Sequence, residues 1–295
     1  MNLTDDYLAL RQEVGAVELT RDVVHATGPD AASFLQGQIS QDVEGLADGA
    51  STWSFLLEPT GKVVAWLRVT RAGDGFVLDV DEDWGAAVAE RLQRFRLRVP
   101  VEFDVSAQRC VAVRGPGAAG VRPNRRALPV DWPGVEGFDL LGDDAVVPEG
   151  VRVCSLDAYE AVRVEAGVPA MGRELTEATI PAEAGEWLVA AGVSFTKGCY
   201  TGQELVARID SRGGNVPRHL RGVVVGTNVV PPAGAAVTVD GKVVGVLTSV
   251  AESLERRAPV ALGYVRRAVE PPADVTITWD GGSAPARVEE LPLVT

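Results

Sequence analysis

The feature that most constrains the fold is a change of pattern after Ser211-Arg212-Gly213-Gly214-Asn215. Beyond it come short Val/Gly-rich segments in which apolar and polar residues alternate: Leu220 to Val225, Ala236 to Val239, Val243 to Thr248 and Val275 to Thr278. Period-two alternation gives a strand one buried and one solvated face. Asp240-Gly241 and Asp280-Gly281 supply the residues that tight hairpins need at their turns. Residues 217–295 therefore predict a small antiparallel barrel or sandwich. Upstream, strands and helices mix without a regular βαβ rhythm, so residues 1–210 read as α+β. With 295 residues, 46% of them hydrophobic, two or three subdomains are expected, two of them α+β within 1–210.

Along that first part, a short helix leads into strands near Val17-Glu18-Leu19 and Val23 to Thr27. Gly28-Pro29-Asp30 opens a helix with Phe34, Leu35 and Ile39 near helical spacing. Ser51 to Leu57 and Val63 to Val69 form a strand pair around Glu58-Pro59-Thr60-Gly61-Lys62, and Phe76 to Val80 continues the sheet. Asp83-Trp84 begins a helix with Val88, Leu92 and Phe95 on one face. Strands follow at Val99 to Val105, Cys110 to Val113 and Gly137 to Leu141, then helices at Asp157 to Glu165 and Ala184 to Val189. Gly115 to Asn124 lacks the G-x-x-x-x-G-K-[ST] pattern and reads as a loop or helix entry.

The chemistry concentrates in Lys197-Gly198-Cys199-Tyr200-Thr201-Gly202-Gln203-Glu204. Thr201 and Glu204 have capping-box spacing, and Leu205, Val206 and Ile209 would stripe the short helix that follows. Cys199 then precedes a helix N-terminus, and Lys197, two residues earlier, would point to the same side in an extended segment. Both influences lower a thiol pKa and favour a reactive cysteine. Gly198 and Gly202 leave room for a ligand or partner to approach the backbone. The bland alternative, a buried cysteine beside a structural cap, weighs about equally on local pattern alone.

A net charge of -13 argues against a protein that coats nucleic acid, so direct nucleic-acid binding is not expected. Arg91, Arg94, Arg96 and Arg98 form the one basic run, expected to be a solvated face. Three widely spaced cysteines, Cys110, Cys154 and Cys199, suit a reduced cytoplasm and lack the clustering of a permanent iron–sulfur or zinc site. His25 and His219 are too far apart in sequence to suggest a metal site. The N-terminus lacks signal-peptide character, and no apolar run reaches membrane-spanning length. A soluble, cytoplasmic protein is expected.

The octapeptide, together with Arg163-Val164-Glu165-Ala166-Gly167-Val168-Pro169, closely resembles the YgfZ-type proteins, folate-binding relatives of the glycine-cleavage aminomethyltransferase (T-protein). Further matches run from about Gly28 to the C-terminal segment. The resemblance implies an aminomethyltransferase-like fold in several subdomains with a C-terminal β-barrel. It also implies binding of tetrahydrofolate or a derivative. The implied partners are iron–sulfur proteins or their assembly machinery, including a methylthiolating tRNA-modification enzyme. It places a pterin-contacting carboxylate at Asp139, puts Tyr159 where the family has an arginine, and matches Arg163 and Glu165 to the helix motif. A departure is equally informative: Ala65-Trp66 stands where aminomethyltransferases carry paired aspartates. Neither residue can act as a carboxylate acid or base, so ordinary aminomethyl transfer is not expected.

The leading expectation is a folate-binding auxiliary protein for iron–sulfur cluster assembly or repair, with Cys199 as a redox, transfer or transient cluster-contact residue. A folate-dependent one-carbon transferase using Cys199 is the enzymatic alternative, and a non-catalytic folate-sensing scaffold the other. A cysteine hydrolase ranks last, since no positioned base can be inferred.

Overall fold

In the computed structural model, which describes residues 2–295, the chain opens with α1 (Leu3–Gln12) and a single long strand, β1 (Gly15–Thr27). Two strands were expected here. The polar residues between the apolar ends do not break the strand because they are partnered: Arg21 bonds the carboxylates of Asp79 and Asp81 at 3.0 and 2.6 Å. Next come α2 (Ala31–Gln38), β2 (Ser51–Leu57), β3 (Val63–Ala72), β4 (Gly75–Asp81) and α3 (Gly85–Arg94). Then follow β5 (Glu102–Arg114), β6 (Leu128–Pro129), β7 (Gly137–Leu141), β8 (Arg152–Val153) and α4 (Leu156–Ala166). The last two helices are α5 (Glu186–Gly192) and α6 (Gln203–Asp210).

The chain divides into two units, and β1 and β5 contribute to both. One unit comprises Thr20–Gln108 and Ala170–Val216. Its strands run in the order β2-β3-β4-β1-β5, with β2, β3, β4 and β1 joined antiparallel. Phe34 and Leu35 of α2, Val88 and Leu92 of α3 and Leu188 of α5 share one apolar core with Phe55, Leu67 and Leu78. Ala65 and Trp66 lie inside that core, the Trp66 ring stacked on Trp53 with centroids 5.2 Å apart.

The basic run departs from expectation. Arg91 is buried, donates to the Leu57 carbonyl at 2.7 Å and lies 4.0 Å from the Phe95 ring. It faces inward because it lies one turn from Val88, on the same buried side of the helix.

The other unit comprises the segment ending at Leu19, Arg109–Pro169 and Pro217–Thr295. Its sheet portion runs β1-β5-β7-β6, with β8 paired to β1. The predicted barrel is present and closed. Its strands are β9 (Arg218–Val225), β10 (Ala236–Val239), β11 (Lys242–Ser253), β12 (Ala258–Arg266), β13 (Ala273–Trp279) and β14 (Gly282–Glu289). They follow the order β10-β11-β12-β9-β14-β13, and β10 pairs with β13 to complete the ring. Closure removes the exposed edges that an open sheet of these strands would present.

Candidate functional site

The Cys199 motif is held by backbone contacts of its own unit. Lys197 Nζ donates to the carbonyls of Ile39 and Gln41 at 2.9 and 2.8 Å and lies 5.4 Å from the Tyr200 ring. Burial pushes its pKa down to about 8 and pushes the Tyr200 hydroxyl up to about 12. The lysine's described contacts thus run to these carbonyls and ring rather than to the Cys199 thiol. Tyr200 is buried, and its N–H donates to Gln203 Oε1 at 3.2 Å, closing the turn into α6.

The expected capping box does not form. The N-cap of α6 is Gly202, in the left-handed region at φ 87°, with no side-chain cap bond. A Cβ there would lie 2.7 Å from the Glu58 carbonyl oxygen, so conformation and packing both demand glycine. Because the cap falls one residue later, Thr201 turns to α2 instead. Its N–H donates to the Gly37 carbonyl at 3.1 Å, and Glu204 is exposed. Gly198 differs from Gly202: a Cβ there would meet no atom within 4 Å.

Cys199 is exposed, whereas Cys110 and Cys154 are buried. Burial raises the Cys154 thiol to about 11, which makes it a poor nucleophile. The exposed thiol is therefore the one presented to other molecules.

Asp139 sits in the other unit, on β7. Registers place it opposite Ala112 of β5, with Gly137 opposite Arg114. Paired residues share a face, so Arg114 and Asp139 are diagonal neighbours. Their ion pair closes at 2.9 Å, with Arg114 buried. Burial works against the Arg114 charge, but the Asp139 carboxylate, with smaller contributions from Tyr159 and Cys110, holds the guanidinium above its ordinary pKa. Gly137 makes the arrangement possible, since a Cβ there would sit 2.2 Å from the Val113 carbonyl oxygen and 3.0 Å from Arg114 Cδ. Phe138 and Leu140 point to the opposite face and pack with Val111, Val113 and Ala16.

Tyr159 of α4 joins this face. Its ring lies 5.7 Å from the Arg114 guanidinium and 5.3 Å from the Trp132 ring, and Trp132 itself lies 4.6 Å from the guanidinium. Arg114 and Trp132 were not singled out in the sequence. Arg114 ends an alternating apolar run and Trp132 sits in a Pro/Gly segment, so neither carries a local signal of its role.

Arg163 and Glu165 make bracing contacts. Arg163 donates to the Val168 carbonyl at 2.6 Å, to Ser249 Oγ at 2.8 Å and to both Glu160 oxygens. Glu165 is fully buried and accepts from the Tyr7 hydroxyl at 2.6 Å, and burial raises its pKa. The structure thus brings Asp139 and Tyr159 together around Arg114, and puts Lys197 and Cys199 in the other unit. Among the described residues, no three or more His, Cys, Asp or Glu side chains gather as a metal site. Nor, among them, is any helix long and apolar enough to cross a membrane.

The profile of the glycine cleavage T-protein C-terminal barrel domain matches residues 218–294, the closed barrel. An aminomethyltransferase of Streptomyces avermitilis is 28% identical, over 98% of this chain and 88% of that protein. An uncharacterized protein of Haemophilus influenzae is 30% identical, over 68% of this chain and 70% of its own length. The tRNA-modifying protein YgfZ of Edwardsiella ictaluri is 27% identical, over 65% of each. The crystal structure of aminomethyltransferase T from Bartonella henselae superposes with a TM-score of 0.83 at 22% identity, covering 99% of this chain and 90% of that one, a likeness of fold. With its aminomethyltransferase-like fold, its closed barrel and these relatives, the chain belongs to the YgfZ-type proteins, kin of the T-protein family.

Proposed function

We propose that this protein is a folate-binding auxiliary factor that supports iron–sulfur cluster assembly or repair in partner proteins, and through them tRNA modification. The observation that carries the reading is the exposed Cys199 thiol, on a loop tied down at Lys197, Tyr200 and Thr201. A built loop that leaves its one thiol facing outward suits contact with a partner. One thiolate cannot supply the four typical of a resident cluster, so the contact is transient. The printed name of the Edwardsiella relative, a tRNA-modifying protein, supports the same direction.

The acid chemistry of aminomethyl transfer has no place in this reading. Ala65 and Trp66 are buried in an apolar core where a carboxylate would be needed. A folate-type ligand fits the residues around Asp139. A pterin ring offers N–H donors to a carboxylate and a flat face to aromatic side chains, and Asp139, Tyr159 and Arg114 present those chemistries together. The ligand would supply a one-carbon carrier or a signal of folate status, and the chain supplies binding and orientation.

Complementation tests the reading. Cells lacking the protein would receive wild type or Cys199→Ala at equal soluble levels, scored for iron–sulfur enzyme activity and methylthiolated tRNA. Rescue by wild type alone supports the auxiliary role with a necessary thiol. Equal rescue removes the thiol's role and favours the scaffold, and failure of wild type removes iron–sulfur support altogether. Turnover of a one-carbon donor by purified protein would move the assignment to a transferase.

A further inference from the structure

The chain leaving α2 is a seat for the Cys199 loop. Three consecutive carbonyls there, those of Ile39, Ser40 and Gln41, accept from residues just ahead of Cys199. The outer two accept from Lys197 Nζ, and the middle one from the Ser194 N–H at 3.0 Å. On the far side of Cys199, the Thr201 N–H is held by the Gly37 carbonyl at 3.1 Å. The seat also receives the end of α5, because Gln41 Nε2 donates to the Ala191 carbonyl at 3.0 Å. All of these residues belong to one unit of the chain.

Ser40 is the centre of that seat and is fully buried. On one side it pairs with β2: its N–H donates to the Phe55 carbonyl at 3.0 Å, and its Oγ accepts from the Phe55 N–H at 2.9 Å. On the other side its hydroxyl donates to the Gly192 carbonyl at 2.5 Å, with the Ser54 hydroxyl 3.3 Å away. A serine hydroxyl has one proton to give and two lone pairs to receive, and this site uses its donor and at least one lone pair. Gly192 ends α5, where carbonyls lack partners within the helix. The Ser40 bond therefore sets the direction in which the chain leaves α5, two residues before Ser194. Ser194 Oγ in turn accepts from the Lys197 N–H at 3.2 Å, which carries the constraint towards Cys199. Alanine at position 40 would leave the Phe55 N–H and the Gly192 carbonyl without these bonds in a buried site.

We infer that Ser40 is a positioning residue for Cys199, holding the loop in the arrangement that presents the thiol to a partner. The inference rests on the reading of Cys199 as the partner-contact thiol and adds the residue that fixes its presentation. Ser40 acts through backbone groups on both of its flanks and touches no reacting atom. A thiol on a loop held at both ends meets a partner in one orientation, whereas a thiol on a loosened loop must be ordered at each encounter.

Amide hydrogen exchange of the full chain, paired with complementation at equal soluble levels, tests it. Ser40→Ala should speed exchange roughly tenfold or more in residues 193–201, as loss of a buried bond predicts, and leave β3 as slow as in wild type. It should also fail to restore iron–sulfur enzyme activity in cells lacking the protein, although Cys199 is present. Ser40→Thr, which keeps the hydroxyl, should recover both. If Ser40→Ala does not accumulate as folded protein, Ser40→Cys, close in volume and a weaker donor, takes its place with the same expectations. Rescue by the Ser40 variant where Cys199→Ala fails overturns the positioning role and leaves the auxiliary reading standing. Exchange that is unchanged, or that rises equally in β3, overturns it in the same way. Rescue by Cys199→Ala, or failure of wild type, overturns the reading of the thiol and this inference with it.

Discussion

Lys197 Nζ bridges two backbone carbonyls, Ile39 at 2.9 Å and Gln41 at 2.8 Å, and so ties the Cys199 loop to the chain leaving α2. Ile39 is the C-cap of α2, where carbonyls lack helical partners and a cation is favourable. The structural value of Lys197 is therefore positional, acting on the loop that presents Cys199.

Its burial has a pH signature. The folded pKa, about 8, lies below the ordinary 10.5, so above pH 8 the unfolded chain binds this proton more readily than the folded one. Stability contributed at this site rises as pH climbs from about 8 towards 10.5. The melting-temperature advantage of wild type over Lys197→Met should grow between pH 7.5 and 9.5. A flat or shrinking difference would show that Lys197 is solvated.

Thiol accessibility should separate the three cysteines. Ellman's reagent should modify one thiol per native chain and three after denaturation, because Cys110 and Cys154 are buried and Cys199 is exposed. Cys199→Ala should abolish the native signal and change stability by less than about 0.5 kcal/mol. A second fast-reacting thiol in the native protein contradicts this arrangement.

Asp79 is fully buried and bonded to two guanidinium groups, Arg68 at 2.9 Å and Arg21 at 3.0 Å. Asp79→Ala leaves Arg68, itself 1% exposed, without its carboxylate. A loss of about 3–5 kcal/mol is expected in urea unfolding, the usual cost of breaking a buried pair from one side. A loss below about 1 kcal/mol would mean that water reaches the cluster.

Gly192 and Trp66 should prove coupled. A Cβ at Gly192 would lie 2.2 Å from Trp66 Cζ3, so Gly192→Ala should cost about 1–3 kcal/mol through overpacking. Combined with Trp66→Leu, the same alanine should cost measurably less, a non-additive cycle. Additive losses would place the strain elsewhere.

The barrel shows where local pattern succeeds and where it stops. Segments with one wet face, such as Val275 to Thr278, announce themselves by alternation, and Asp240-Gly241 and Asp280-Gly281 sit at the hairpins. β12 carries no such signal because both of its faces are covered. Ala261 and Val265 belong to one apolar cluster, while Val260, Leu262 and Tyr264 join another with Val164 of α4 and Leu293. A strand buried on both sides reads as a plain apolar run.

In the site, the octapeptide and β7 were legible because their residue types and glycines are local facts. Thr201 as a cap was misread because the choice between Thr201 and Gly202 depends on Leu57 and Glu58, far away in sequence, which leave room only for glycine.

The sequence by itself determined the mixed first part, the antiparallel barrel, the family and the motif that contains Cys199. Those follow from periodicity, turn chemistry and a distinctive run of residues, all carried within short windows. Tertiary structure alone decided that Cys199 is the exposed thiol, that Lys197 grips carbonyls, and that Arg114, Trp132 and Tyr159 gather about Asp139. The physical reason is that burial and ion pairing are properties of neighbours in space. Arg114 and Asp139 are 25 residues apart in the chain, and only the register of β5 against β7 makes them partners.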